Sequence, residues 1–413
     1  MQSTDAPRDA RREALLCPSR RLFLASAGAF VAWAHIPRFA QAAERDPRLV
    51  VVVLRGAMDG LAVVPPIGDP DYAGLRGSLA IGANGLESAL PLDGFFGLND
   101  ALPGLHARYA SGEMLAVHAT ATPYRDRSHF DGQDVLESGM AGPRAAKTGW
   151  LNRAVAALPA GERVRPVSGV AVSPTVPLIL RGSAPTVTWT PPNFRAAGDD
   201  TVERLLALYT HVDPRLAGVL QAGIDVDMAT AGDEAGRKGG GAAVSFRRAA
   251  EGSARLIVAD DGPRIAVLSF DGWDTHANEG PESGRLARLL GALDASLETL
   301  AQELAPVWRD TVVAVVTEFG RTARVNGTVG TDHGTATTAF LLGGAVNGGR
   351  VLADWPGLKP EQLLEDRDLA PTIDLRAVLK GVLRDHLGLS ERVLATDVFP
   401  DSLGIRPIDG LIG

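Results

Sequence analysis

Arg48-Leu49-Val50-Val51-Val52-Val53-Leu54 runs directly into Arg55-Gly56-Ala57-Met58-Asp59-Gly60, and that succession sets the fold. A continuous, largely β-branched run has no polar face, so it predicts a strand buried on both sides, as central strands of parallel sheets are. The glycine-bearing turn after it carries an acid at the strand's carboxyl end, where α/β proteins gather their chemistry. The same grammar recurs at Met114-Leu115-Ala116-Val117-His118, at Arg264-Ile265-Ala266-Val267-Leu268-Ser269-Phe270 and at Thr311-Val312-Val313-Ala314-Val315-Val316-Thr317.

Between and after these runs the apolar residues take helical spacing, at Val202 to Tyr209, Ala243 to Ala259, Ser283 to Leu304 and Leu375 to Leu387. Strands alternating with helices predict an α/β fold, a mostly parallel central sheet with helices on both faces. The stretch Val167 to Trp189, punctuated by Pro174, Pro177 and Pro185, reads as a small β-rich insertion, and Gly236 to Gly241 as a surface loop. No internal repeat is present.

The predicted strand ends supply metal-compatible groups. Asp59 follows the first strand; Asp271, Asp274 and His276 follow another in Phe270-Asp271-Gly272-Trp273-Asp274-Thr275-His276; Glu318 follows a third in Thr317-Glu318-Phe319-Gly320-Arg321-Thr322. Asp332 and His333 lie in Gly330-Thr331-Asp332-His333-Gly334-Thr335, ahead of the apolar run Ala339 to Leu342. Carboxylates mixed with imidazoles suit zinc, manganese or a similar divalent ion, and one or two such ions would serve ester displacement. Taken singly, Asp274 and Asp332 are equally ordinary turn residues, and Glu318 a partner for Arg321. Their joint placement after successive strands makes the set a candidate site.

A second cluster, Thr120-Ala121-Thr122-Pro123-Tyr124-Arg125-Asp126-Arg127-Ser128-His129-Phe130-Asp131, opens a helical pattern through Val135. Ser128 falls near the helix start, where free N–H groups favour an oxyanion, and Arg125 and Arg127 are candidates to hold two of its oxygens. Ser128 is a candidate nucleophile or a helix cap; the two roles are compatible.

The ends of the chain set its compartment. Ser19-Arg20-Arg21-Leu22-Phe23-Leu24 places paired arginines ahead of a moderately apolar stretch to Ile36, and Ala40-Gln41-Ala42 fits a peptidase site. Residues 1–42 are therefore expected to be a twin-arginine signal peptide, handled by the twin-arginine translocase, with a single α/β domain over 43–413 that is periplasmic or secreted. The apolar run is shorter than the ~20 residues of a membrane span, and no other span is predicted. The lone cysteine, Cys17, lies in that signal, so a metal site must use oxygen and imidazole. Six arginines against three acids give the signal a net +3 of the chain's −8, leaving the remainder near −11. Such an acidic surface argues against a nucleic-acid partner.

The chain resembles the exported bacterial domain-of-unknown-function family 1501, whose members resemble the alkaline phosphatase and sulfatase superfamily in fold. The motifs that carry the resemblance are Leu54-Arg55-Gly56-Ala57-Met58-Asp59-Gly60-Leu61, Arg127-Ser128-His129-Phe130, Phe270 to His276, Thr317 to Thr322 and Gly330 to Gly334. It implies an alkaline-phosphatase-like fold in which Asp59, Asp274, His276, Glu318 and His333 bear on metal and Ser128 on catalysis. Glu318 stands where that superfamily has Asp, and Phe319 where it usually has His, which implies one metal or an altered pair. Ala121 stands where sulfatases carry the modified cysteine, which argues against that mechanism.

The expected activity is hydrolysis or transfer of a small anionic ester, of phosphate or sulfate. The rivals are an exported scaffold or binding protein that keeps the fold without chemistry, and a metal-free serine hydrolase pairing Ser128 with His118 or His129. No Gly-x-Ser-x-Gly elbow surrounds Ser128, which weighs against the last.

Overall fold

The apolar runs become strands of one nine-stranded sheet. The computed structural model describes residues 45–82, 89–158, 169–189, 208, 210, 241–259 and 262–413. The chain divides into Met1–Asp46 and Pro47–Gly413, and the sheet belongs to the second unit. The expected signal segment, the loop at Gly236 and, Leu208 apart, the helical pattern from Val202 to Tyr209 lie outside the described residues. Among those described, no helix is long and apolar enough to cross a membrane.

The strands are β1 (Arg48–Arg55), β2 (Ala89–Pro91), β3 (Gly97–Asn99), β4 (Met114–Ala121), β5 (Gly169–Val172), β6 (Thr186–Trp189), β7 (Ile265–Asp271), β8 (Thr311–Thr317), β9 (Thr337–Leu342), β10 (Arg350–Leu352) and β11 (Ile373–Asp374). The helices that frame the sheet and the site are α1 (Gly60–Val63), α2 (Pro103–Ala110), α3 (His129–Ser138), α4 (Trp150–Ala157), α5 (Ala242–Val258), α6 (Arg285–Glu303) and α7 (Leu375–Leu387). The main sheet runs β10-β4-β9-β8-β1-β7-β5-β6, with β11 also on β4, while β2 and β3 form a separate hairpin.

β1 is parallel to both β7 and β8. β9 is antiparallel to β8 and to β4, so β4 points the same way as β8. The carboxyl ends of β1, β4, β7 and β8 therefore share one rim. The Val167–Trp189 stretch contributes β5 and β6, which extend this same sheet in parallel beyond β7.

Why β1 carries no polar face is visible in its packing. Val50, Val52 and Leu54 enter one core layer with Phe246 and Ile257 of α5, Leu290 and Leu297 of α6 and Leu105 of α2. Leu49, Val51 and Val53 enter the other, against Trp150 and Leu151 of α4 and Val378 and Val382 of α7. Two covered faces demand apolar residues at every position. α7 is delimited as its sequence predicts: the Asp374 carboxylate accepts from the Arg376 N–H at the start, and Gly388 takes a φ of 73° at the end.

β4 departs from regularity at His118 and Ala119, where its register against β9 shifts and Ala119 takes a φ of 52°. The bulge turns the His118 ring into the core, where Nε2 donates to the Val64 carbonyl at 2.9 Å and Nδ1 accepts from the Ala119 N–H at 2.7 Å. Complete burial pushes its pKa down to about 4 from an ordinary 6.5. Between those values the unfolded chain binds a proton that the folded chain refuses. Stability is thus full above pH 6.5 and falls as acid is added, by about 3 kcal/mol once pH 4 is passed. Urea midpoints measured across pH 4–7 should show this slope, and His118→Phe, though less stable throughout, should flatten it. Parallel slopes in the two proteins would rule out His118 as its source.

Candidate metal centre

Four segments meet at the shared rim. Ser128 precedes α3 and makes His129 its first residue; Asp274 and His276 follow β7; Glu318 to Arg321 follow β8; Asp332 and His333 precede β9. The two long loops are stitched backbone to backbone, with Asn278 N–H donating to Thr328 O at 3.0 Å, Glu279 N–H to Val329 O at 3.0 Å and Thr331 N–H to Thr275 O at 3.2 Å. Gly330 is required there, because a Cβ would stand 2.4 Å from the His276 carbonyl oxygen.

Each of three imidazoles is held from behind. His129 Nδ1 lies 2.8 Å from Glu318 Oε1, His276 Nδ1 lies 3.1 Å from Asp332 Oδ1, and His333 Nδ1 lies 2.9 Å from the Arg127 carbonyl oxygen. Carboxylates and carbonyls only accept, so the hydrogen of each neutral ring sits on Nδ1 and the lone pair on Nε2. All three Nε2 atoms turn toward Asp274. His276 Nε2 is 3.0 Å and His333 Nε2 3.4 Å from Oδ1, and His129 Nε2 is 3.6 Å from Oδ2. The His129 Nε2 atom is buried without a hydrogen-bond partner.

His276 Nε2 and His333 Nε2 stand 2.9 Å apart. Two facing lone pairs at that distance repel unless positive charge stands with them. One ligand atom from each of His129, Asp274 and His333 falls within 4.8 Å of the others. This set, two imidazoles and a carboxylate with outer partners fixing each ring, fits a divalent cation by donor type and by support.

The electrostatics point the same way. Burial opposes charge at His129, but the Asp274 carboxylate facing it and the hydrogen-bonded Glu318 carboxylate overcome it and raise its pKa to about 9. Burial also works against the Asp274 carboxylate, yet His129, His333 and the Arg321 charge hold it far below the usual range. Glu318 is brought down to about 2, burial being outweighed chiefly by His129. Asp332 is likewise held low against its burial, by the Asn326 amide, by His276 and by the charge of Arg367.

The candidates from sequence divide by position. Asp274, His276 and His333 come together. Glu318 and Asp332 stand one layer out, each gripping an imidazole; Glu318 also accepts from the Gly56 N–H at 2.9 Å and Gln133 Nε2 at 3.0 Å. Asp59 is spent elsewhere: Oδ1 caps α1 through the Leu61 N–H at 3.1 Å, and Oδ2 pairs with the buried Arg76. Ser128 occupies the cap position of α3 but makes no side-chain capping bond. Arg125 donates to the Thr122 and Tyr124 carbonyls, and Arg127 to Asp368 and Glu365.

Two participants are hidden in the sequence. Order along the chain marks His129 only as a base for Ser128, and Arg321, which donates to Asp274 Oδ1 at 2.7 Å, only as a partner for Glu318. Phe319 supplies no ligand; its ring stacks on His129 with centroids 5.0 Å apart.

Fold and side chains together define an α/β protein with a histidine–carboxylate centre at the carboxyl rim of its sheet. The chain belongs to the family described as "Protein of unknown function (DUF1501)", whose profile matches residues 110–398. That span contains every member of the centre and leaves Asp59 outside. No curated protein sequence matches the chain.

Solved structures of low similarity include a protein in the alkaline phosphatase superfamily from Vibrio parahaemolyticus, 12% identical over 74% of this chain and 62% of its own, with a TM-score of 0.36. Another is the C-terminal periplasmic domain of EcEptC from Escherichia coli, in complex with Zn, 9% identical over 72% of this chain and 73% of its own, with a TM-score of 0.37. A third is murine ectonucleotide pyrophosphatase/phosphodiesterase 5 in complex with AMP, 14% identical over 67% of this chain, with a TM-score of 0.31. The chain spans 57% of the length of that murine protein. These likenesses are weak, and the chemistry of the centre rests on its own side chains.

Proposed function

We propose that the protein is a metal-dependent hydrolase or transferase of phosphate or sulfate esters. The observation that carries the reading is the convergence of His129, His276 and His333 Nε2 on Asp274, each ring locked from behind at Nδ1. His129, Asp274 and His333 would hold the ion, three protein ligands being the number that leaves a position for substrate. A bound zinc, manganese or similar ion would supply a Lewis acid and depress the pKa of a hydroxyl or water.

The chain's own groups would do the rest. Ser128, next to His129 and not engaged in capping, is the candidate nucleophile, and the first-turn N–H groups of α3, which have no acceptor within the helix, favour an oxyanion. Glu318 and Asp332 fix His129 and His276 so that neither ring turns its Nε2 away from Asp274. Export through the twin-arginine route with removal of residues 1–42 belongs to the same reading.

One observation favours a second reading. His276 Nε2 lies as near Asp274 as any other ring nitrogen does, and a fourth protein donor would close a tetrahedral set, the pattern of structural sites. The protein would then be an exported binding or scaffold protein with a metal but no turnover. Elemental analysis of the protein beside assays on aryl phosphates and sulfates separates them. The hydrolase should hold about one ion per chain and lose turnover to a chelator, regaining it on metal addition. Metal without turnover transfers the case to the scaffold, and turnover indifferent to chelation sinks both.

A further inference from the structure

Beside the centre lies a group of four charges that ester hydrolysis at the metal leaves without a role. Asp368, fully buried, accepts from Arg127 Nε at 2.8 Å through Oδ2 and from Arg367 Nη1 at 3.0 Å through Oδ1, while the Thr335 hydroxyl adds a bond of 2.8 Å to Oδ2. Two guanidinium groups thus ride on one buried carboxylate and leave a net positive charge. The balance comes from Glu365, whose Oε2 lies 2.6 Å from Arg127 Nη2 although its side chain is 63% exposed, against 22% for Arg127.

The backbone goes out of its way to place that glutamate. Glu365 and Asp366 take φ of 56° and 52°, and the turn is closed by the Arg367 N–H on the Leu364 carbonyl at 3.2 Å. A turn with two successive left-handed residues is ordinarily made by Asn-Gly, because longer side chains resist that conformation. Arg127 itself has a φ of 60°, which aims its carbonyl at His333 Nδ1. One residue therefore roots the guanidinium to the metal centre by its backbone and to Glu365 by its side chain.

Building on the ester-hydrolase reading, we infer that Glu365 is a built-in competitor on Arg127, standing where the phosphate or sulfate group of the substrate binds. An exposed single-bonded carboxylate is a weak occupant. A tetrahedral anion offers several oxygens to the Arg127 fork and, beside it, to Arg367, and so displaces the glutamate. Arg127 and Glu365 together set a preference for doubly charged phosphate monoesters over singly charged sulfate esters and over neutral groups.

The test is calorimetric titration with inorganic phosphate and with sulfate, on metal-depleted and on zinc-loaded protein. Glu365→Asn removes the charge and puts a turn-favouring residue in the left-handed position, so the fold is kept. It should tighten phosphate binding about fivefold at low salt, the size of an exposed ion pair, with the gain shrinking at high salt. Adding Arg127→Lys, which keeps the charge but loses the fork, should abolish the gain. Equal phosphate affinity in wild type and Glu365→Asn, a gain that survives Arg127→Lys, or no phosphate binding by any of the proteins overturns the inference. A gain seen in protein that takes up no metal would leave this inference standing while removing the hydrolase.

Discussion

Asp274→Asn should leave a folded protein that no longer retains its ion, with metal affinity lowered by a hundredfold or more, beyond the roughly 10–100-fold typical of an outer partner. Asp274 is the carboxylate that three imidazole Nε2 atoms face and that accepts from Arg321. The amide keeps the shape and can still accept from Arg321, so the buried guanidinium retains a partner and the fold survives. What disappears is the negative charge that draws a cation among three nitrogen lone pairs. Elemental analysis after dialysis, with a thermal melt as the control for folding, decides it. A variant that melts normally and keeps a full complement of metal would show that Asp274 is no ligand.

Glu318→Ala should be the costliest single change at the centre, because it acts on stability and on metal together. Its carboxylate, completely buried, accepts from His129, Gln133 and the Gly56 N–H through one oxygen and from the Thr317 hydroxyl at 2.9 Å through the other. Alanine strands those donors in the interior and removes the counter-charge to His129. Breaking a buried charged pair from one side costs about 3–5 kcal/mol, and loss of an outer partner of a metal-binding histidine costs about 10–100-fold in affinity. Urea unfolding and competition with a chromogenic chelator measure the two effects. Unfolding within about 0.5 kcal/mol of wild type, the range of an ordinary surface substitution, would refute the assignment.

The parts of this molecule that can be read from its sequence are those whose cause is local. β1, β4, β7 and β8 announce themselves because a strand covered on both faces must be apolar at each position, and α7 because its boundaries are written in Asp374 and Gly388. Strand order is not local. Nothing in Thr337–Leu342 says that β9 runs antiparallel between β4 and β8, and nothing in Gly169–Val172 says that β5 joins the main sheet instead of an insertion.

The same limit governs the centre. Rim position after a strand is legible, and Asp274, His276 and His333 follow from it. Which carboxylate touches an ion and which touches a histidine is a matter of a few ångströms, so Glu318 and Asp332 cannot be told from Asp274 by order along the chain. Asp59 sits at the same rim, yet its direction is set by Arg76, seventeen residues away and on no recognisable motif. His129 reads as a mere neighbour of Ser128 because the glutamate that orients it is 189 residues distant.

That distance has a bearing on how the protein matures. The bond from His333 to the Arg127 carbonyl spans 206 positions, and the His129–Glu318 bond spans 189. Contacts so remote form only after long segments have been brought together, late in folding. A ribosome that has not yet released Glu318 and His333 has made no trap for a metal, and a truncated chain never makes one. A cation held at this centre would therefore be chosen where the finished chain first becomes compact. Under the proposed export, in which the chain would cross a membrane already folded, that choice would belong to the cytoplasm's metal supply and not to the compartment beyond the membrane.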